Sequence, residues 1–144
     1  MTVAKIMRSK ADDTVVTVPP GTSVLDAANV LSAKRIGTVV ISSDGKTALG
    51  ILSERDIVRE IGRRGVSCLT EEVDKMMRTK IETCSREQRA DDVLARMTKG
   101  RFRHMPVVEN GEMIGLITIG DVVKMRLAEV EMEKDALEGM IMGY

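Results

Sequence analysis

Apolar positions along the chain switch between strand-like and helical spacing, and the order of the switches occurs twice. In the first copy, the β-branched run Thr14–Val18 predicts a strand that stops at Pro19-Pro20-Gly21. The segments Thr38–Ile41 and Ala48–Leu52 predict two further strands joined by a short Asp-Gly turn. Between the first strand and this pair, apolar residues at i, i+3, i+4 and i+7 predict one face of a helix, namely Val24, Ala27, Ala28 and Leu31.

The second copy repeats this order. Lys80–Cys84 is the counterpart of the first strand, and Met105–Val108 and Met113–Ile117 are the counterparts of the strand pair. The helical face returns after 66 residues with the same spacing, at Ala90, Val93, Leu94 and Met97. Because such a register is hard to obtain by chance, the chain is predicted to be a tandem repeat.

Each copy closes with the pattern Gly-apolar-apolar-(Ser/Thr)-x-x-Asp, which occurs at Gly50–Asp56 and again at Gly115–Asp121. The pattern predicts a short buried strand, a turn and the start of a helix. One interpretation of the hydroxyl and carboxylate pairs, Ser53 with Asp56 and Thr118 with Asp121, is a helix capping box. The duplication of the whole pattern favours an additional functional role.

A short amphipathic turn introduces each repeat, at Val3–Met7 and at Val73–Met77. After the second repeat, Met125–Ile141 predicts a helix that either covers its own domain or extends a subunit interface; the pattern leaves both open. The predicted divisions are residues 1–65 for repeat one (core 14–62), 66–128 for repeat two (core 80–126) and 129–144 for a helical tail.

Composition narrows the classes of partner. Lys plus Arg and Asp plus Glu both number 22, and only one Phe, one Tyr and no Trp are present. We therefore expect no nucleic acid partner and no membrane surface as a partner. Two cysteines without metal-type spacing, a single histidine and no apolar leader predict a cytoplasmic protein without a metal site.

The element order strand, helix, strand, strand, helix, present twice, together with the two closing motifs and Arg103–Val108, resembles the cystathionine β-synthase (CBS) domain pair, or Bateman module. The resemblance covers about residues 1–125. It implies an α+β or α/β fold of two CBS repeats stacked by pseudo-twofold symmetry, followed here by a C-terminal helix. It also implies clefts that hold adenosine-containing ligands, a regulatory and non-enzymatic role, and a homodimer of two pairs.

Within that resemblance, a carboxylate can accept two hydrogen bonds from a ribose diol, and a hydroxyl at a helix start suits a phosphate oxygen. Asp56 and Asp121 fit the first role, and Ser53 and Thr118 fit the second. The resemblance implies one ligand cleft closed by Asp121, with Val16, Ile36, Gly37, Arg103, His104 and Thr118, and a second closed by Asp56, with Thr38, Ser53, Arg55, Lys80, Glu82 and Phe102.

The leading hypothesis is a free-standing module that binds AMP, ADP or ATP and changes its shape or its contacts with an unknown regulated partner. NAD(H) or S-adenosylmethionine is the alternative ligand. A scaffold with empty clefts, and an enzyme acting on a nucleotide, are the alternatives from other classes. The enzyme hypothesis lacks support, because the sequence contains no P-loop, no dinucleotide-binding glycine motif and no nucleophile-base pair. The apolar faces of the predicted helices around Val24 and Ile57 further suggest a homodimer.

Overall fold

The computed structural model describes residues 1–10 and 14–143. The mixed α and β architecture and its repetition, predicted from the sequence, are confirmed. The helices are α1 (Val3–Ser9), α2 (Val24–Lys34), α3 (Glu54–Arg64), α4 (Ala90–Gly100) and α5 (Ile119–Met142), and the strands are β1 (Thr17–Val18), β2 (Thr38–Ile41), β3 (Gly50–Ser53), β4 (His104–Glu109) and β5 (Glu112–Thr118).

The chain forms two compact units, and neither is continuous in sequence. The unit that contains the first repeat, here called the repeat-one unit, comprises Thr14–Glu82 and Val108–Ile114. The repeat-two unit comprises Met1–Asp13, Thr83–Val107 and Gly115–Tyr144. Each unit therefore contains the segment that precedes the other repeat in the chain.

The repeat-one unit is built on a three-stranded sheet in the order β1-β2-β3. Strand β1 runs parallel to β2, and β2 runs antiparallel to β3. The predicted strand Thr14–Val18 is shorter than expected, because only Thr17 and Val18 pair in the sheet. The core combines the inner sheet face with α2, α3 and the segment before repeat two: Val18, Val24, Ala27, Leu31, Val39, Ile41, Leu52, Ile57 and Val73.

The repeat-two unit contains α1, α4 and α5, together with the greater parts of β4 and β5. Strands β4 and β5 form a two-stranded sheet. The apolar face predicted for α4 is buried, as Ala90, Val93 and Met97 show. Helix α5 continues without a break from the closing motif to Met142, so the tail predicted as a separate segment is part of one long helix.

The strand predicted at Lys80–Cys84 does not form, and a single parallel bridge joins Cys84 to Val107 instead. In repeat one the equivalent ladder continues because the Val40 amide donates to the Val16 carbonyl at 3.1 Å. The same step in repeat two would need an N–H at Pro106 for the Glu82 carbonyl, and proline has none. The prediction was wrong at this point because one residue of the partner strand cannot donate.

The two introducing segments bind their units in equivalent ways. In the repeat-two unit, the Val3 amide donates to the Gln88 carbonyl at 2.8 Å and the Ala90 amide donates to the Met1 carbonyl at 2.9 Å. In the repeat-one unit, the Val73 amide donates to the Thr22 carbonyl at 2.8 Å and the Val24 amide donates to the Glu71 carbonyl at 2.8 Å. Each segment thus provides carbonyl and amide partners beside the start of α4 or α2.

The glycine of each closing motif makes room for a methionine of the segment bound to that unit. A Cβ placed on Gly50 would lie 2.6 Å from Cγ of Met77 and closer still to its sulfur. A Cβ placed on Gly115 would lie 2.6 Å from Cε of Met7. Neither glycine has a positive φ, so the two positions need glycine for space and not for backbone conformation.

Candidate functional site

Both motif carboxylates cap the helix that follows them. The side chain of Ser53 accepts from the Asp56 amide at 3.2 Å, and the Asp56 carboxylate accepts from the Ser53 amide at 3.1 Å. At the start of α5, the side chain of Thr118 accepts from the Asp121 amide at 3.1 Å, and Asp121 accepts from the Thr118 amide at 2.9 Å. The capping-box interpretation of the two motifs is confirmed.

The carboxylate of Asp56 is buried and has donors on both oxygens. Its Oδ2 accepts from the Ser53 amide and also from the Ser53 hydroxyl, at 2.9 Å. Its Oδ1 accepts from Arg59 at 2.8 Å and from Arg78 Nε at 3.2 Å. With only 6% of this side chain exposed, a ligand hydroxyl could reach the carboxylate only by displacing one of these donors.

The carboxylate of Asp121 is more accessible and less fully paired. Its side chain is 24% exposed, and its Oδ2 forms an ion pair with Lys10 Nζ at 2.9 Å in addition to the bond from the Thr118 amide. Among residues 1–10 and 14–143, no hydrogen bond is made to its Oδ1. One oxygen of Asp121 therefore has no donor among the described residues, unlike either oxygen of Asp56.

Two further differences make the start of α5 more open than the start of α3. The Ser53 hydroxyl donates to Asp56, whereas within the described part of the chain the Thr118 hydroxyl only accepts. The residue before the carboxylate is the exposed Arg55 in repeat one and Gly120 in repeat two. Among the described residues, a Cβ at Gly120 would meet only Thr118 Oγ1, at 3.6 Å, so these residues leave space beside the first turn of α5.

The residues predicted to lie before the strand pair are beside the capped helix starts. The Glu54 amide donates to the Gly37 carbonyl at 2.9 Å, and the Ile119 amide donates to the Arg103 carbonyl at 2.8 Å. Gly37 and Arg103 are thus equivalent positions, as the repeat register predicted. The structure brings Arg103, Thr118 and Asp121 together in the repeat-two unit, with the half-buried His104 at the start of β4.

The other residues predicted to contact a ligand lie in several different environments. Thr38 is buried, and its hydroxyl donates to the Leu52 carbonyl at 3.1 Å, so this hydroxyl is already used. Lys80 and Glu82 are exposed and lie outside any strand. Of the remaining predicted contacts, Val16 and Ile36 pack on the edge of the repeat-one core, and Phe102 is half-buried in the repeat-two unit.

Besides Arg59 within α3, two cations contact the motif carboxylates, and the sequence pattern predicted neither contact. Lys10 contacts Asp121, and Arg78 contacts Asp56, with Nη2 at 3.1 Å from Oδ1. Both follow shortly after the introducing segments Val3–Met7 and Val73–Met77, which resemble each other in sequence. Lys10 lies three residues after Met7 and Arg78 one residue after Met77, so the repeat register does not align them.

An open apolar groove of about 580 Å³ lies between α2 and α3 in the repeat-one unit. Its floor includes Leu31 and Ile57, and Val58, 67% exposed, forms part of its rim. The face of α2 that suggested a dimer, Val24, Ala27 and Leu31, is instead covered by its own sheet. The predicted α2 face is therefore buried, whereas the groove beside it leaves apolar surface exposed.

The two cysteines are poorly placed for nucleophilic chemistry. Both cysteines are buried, and burial raises the pKa of the Cys84 thiol to about 11, which keeps it protonated at neutral pH. In the described ranges, no cluster of three or more His, Cys, Asp or Glu side chains could hold a metal ion. No helix within those ranges is long and apolar enough to cross a bilayer.

Comparison with known sequences gives one family. The profile of the CBS domain matches residues 3–63 and 71–128. The CBS domain-containing protein CBSCBSPB3 of Arabidopsis thaliana is 32% identical over 96% of the chain, but the chain spans only 24% of that relative's length. The CBS domain-containing protein CBSX3, mitochondrial, of the same plant is 31% identical, with 99% of the chain and 72% of the relative covered.

Solved structures give the same result. The CBS-domain containing protein ATU1752 of Agrobacterium tumefaciens matches with a TM-score of 0.82 and 40% identity, over 88% of this chain and 99% of its own. Two more distant structures share the fold. One is the CBS domain protein PAE2072 of Pyrobaculum aerophilum complexed with AMP, with a TM-score of 0.72 and 22% identity over 84% and 89% of the two chains. The other is the CBS domain pair of MJ0100 in complex with 5′-methylthioadenosine and S-adenosyl-L-methionine, with a TM-score of 0.76 and 19% identity over 90% and 98%.

Proposed function

The chain belongs to the CBS-domain family as a tandem pair, and from this premise we propose that it is a regulatory module that binds an adenine nucleotide at Asp121. The observation that carries the proposal is the state of this carboxylate. It is fixed by a capping box, half-buried, and keeps one oxygen without a donor among the described residues. A ribose diol supplies two hydroxyl donors in the geometry that such a carboxylate accepts.

The phosphate end of the ligand is assigned to the start of α5. Backbone amides at a helix N-terminus attract anions, and the Thr118 hydroxyl and the close approach at Gly120 add to this. The exposed Arg103 and the half-buried His104 lie beside the same helix start. The assignment of the base to Val16, Ile36 and Gly37 rests on the family resemblance alone.

AMP, ADP or ATP is proposed because the side chains beside Asp121 suit an anion. Complexes of relatives with AMP and with S-adenosyl-L-methionine support an adenosine-containing ligand in general. S-adenosylmethionine carries a positive sulfonium beside the ribose, which Arg103 and the helix start would disfavour. The regulated partner and a cytoplasmic location remain predictions from the sequence.

We expect AMP to bind more tightly than adenosine, and we expect this advantage to depend on Arg103. A partly solvated arginine contact with a phosphate should contribute about three- to tenfold in affinity. Calorimetric titration of wild type and Arg103→Ala with AMP and with adenosine measures the difference in affinity between the two ligands. Lys99→Ala is the matched control, because it removes one exposed charge from the end of α4 without touching the site. Equal affinities of wild type for AMP and adenosine would remove the phosphate role.

We also propose a homodimer that uses the groove between α2 and α3. An open apolar groove with an exposed valine on its rim is the kind of surface that a second copy can cover. The exposed apolar side chains of α5 form the competing surface, with Leu127 65% and Leu137 59% exposed.

Val58→Glu should therefore convert a dimer to a monomer in sedimentation at micromolar concentration. The charge would be buried at the interface without a partner, which costs several kcal/mol by order of magnitude. Val66→Glu is the matched control, since Val66 is 70% exposed and lies outside the groove. If Leu137→Glu breaks the dimer and Val58→Glu does not, α5 forms the interface and the groove does not.

A further inference from the structure

Lys10 forms an ion pair with the Asp121 carboxylate, to which the ribose of the proposed nucleotide would bind. Its Nζ lies 2.9 Å from Asp121 Oδ2 and donates to the Leu116 carbonyl at 2.8 Å. The Lys10 side chain is only 20% exposed, so this is a partly buried contact and not a loose surface pair. It joins the end of α1 to the helix start at which the ligand is placed.

The hydrogen-bonding capacity of Asp121 makes Lys10 and a ribose diol competitors. A carboxylate oxygen has two lone pairs, and those of Oδ2 are used by the Thr118 amide and by Lys10. A diol that binds both carboxylate oxygens must therefore displace one of these donors. The Thr118 amide is fixed by the backbone of the capping box, whereas Lys10 is a flexible side chain whose ammonium can return to water.

From this geometry we propose that Lys10 is an affinity-determining residue of the nucleotide site. It pairs with Asp121 in the absence of nucleotide and leaves the carboxylate when the nucleotide binds. The inference rests on the function proposed above. Its consequence is a coupling between the site and the N-terminal segment, because Lys10 caps α1, and Val3, Ile6 and Met7 anchor that helix in the repeat-two unit. Nucleotide binding would loosen the end of α1 while its anchor stays in place.

The equivalent contact at Asp56 lacks this property. Arg78 exchanges two backbone hydrogen bonds with Ile51, at 2.9 and 3.0 Å, so its position is fixed by the sheet edge. A second guanidinium, that of Arg59, remains on the same oxygen of Asp56. Among the residues that the structure describes, Asp121 therefore has a single, displaceable cation, whereas Asp56 has two.

The test uses AMP and the full chain. Lys10→Met keeps the apolar stem and removes the ammonium, and should bind AMP about two- to fivefold more tightly than wild type, the range expected for losing one partly solvated ion pair. Lys46→Met is the matched control, because it removes an ammonium from an exposed pair with Glu112 at 3.9 Å. Its affinity for AMP should equal that of wild type.

The second readout is hydrogen exchange of the amides in residues 3–10, followed by mass spectrometry. AMP should speed exchange at the C-terminal end of α1 in wild type and leave it unchanged in Lys10→Met, an effect that a purely structural lysine would not produce. Unchanged or weaker AMP binding by Lys10→Met, or slower exchange with AMP, overturns the inference and leaves the proposed function standing. If neither wild type nor Lys10→Met binds AMP, the proposed function and the inference about Lys10 are both wrong.

Discussion

Asp121→Ala should weaken AMP binding by roughly tenfold to more than a hundredfold, whereas Asp56→Ala should leave it nearly unchanged. The estimate corresponds to losing charge-assisted ribose bonds of about 1.5–3 kcal/mol. The structure gives the reason for the inequality, because Asp56 has donors on both oxygens and Asp121 has one oxygen without a donor among the described residues. Titration calorimetry of the two folded variants measures the difference.

Thermal and chemical unfolding must accompany this comparison, because both carboxylates also cap helices. Asp121→Ala should lose about 1 kcal/mol of stability from the cap. Asp56→Ala should lose roughly 1–3 kcal/mol, since the Arg59 and Arg78 pairs are lost as well. The site assignment is inverted if folded Asp56→Ala loses tight binding and Asp121→Ala keeps it. Unchanged binding in both variants would leave the carboxylates with the capping role alone.

Gly50→Ala should lower the free energy of unfolding by about 1–3 kcal/mol, and Gly115→Ala by less than about 1 kcal/mol. At Gly50 the new methyl group would meet Cβ, Cγ and the sulfur of Met77, atoms close to the backbone that cannot move far. At Gly115 its close contact is with Cε of Met7, the free end of a flexible side chain. Denaturant unfolding of both variants provides the comparison.

A double-mutant cycle with Met77→Ala separates this clash from other effects of the alanine. If the methionine is the obstacle, Gly50→Ala should cost much less in the Met77→Ala background than in wild type. An equal cost in both backgrounds would show that Gly50 is needed for another reason.

The parts of the fold that the sequence predicted correctly are those controlled by local spacing. The buried faces of α2 and α4 follow from apolar residues one turn apart, such as Ala27 and Leu31. The capping boxes follow from a hydroxyl and a carboxylate three residues apart. These signals lie within one element, so they can be seen without knowing which elements meet.

The features that escaped prediction depend on residues far apart in the chain. The strand at Lys80–Cys84 is absent because Pro106, on another element, has no amide to donate. The ion pair between Lys10 and Asp121 requires that the segment before repeat one packs in the repeat-two unit. The pattern of α2 showed an apolar face but not that its own sheet covers that face.

The candidate site was predictable in its carboxylates and not in their accessibility. The repeated motif alone does not distinguish Asp56 from Asp121. Their difference comes from the neighbours, Arg59 and Arg78 on one and Lys10 on the other. The sequence already predicts a tighter Asp121 cleft, because Arg103 and His104 occupy the positions of Gly37 and Thr38. The three-dimensional contacts add that the Asp121 carboxylate has fewer donors among the described residues.

A competition measurement tests most directly whether this chain selects AMP, ADP or ATP over other adenosine-containing ligands. Purified protein is incubated with an equimolar mixture of AMP, ADP, ATP, NAD and S-adenosylmethionine, separated from free ligand and denatured, and the released molecules are identified by mass spectrometry. We expect AMP, ADP or ATP at near-stoichiometric yield, with the yield lost in Asp121→Ala. Retention of S-adenosylmethionine or NAD in its place, or of no adenosine-containing molecule by the folded protein, would contradict the claim.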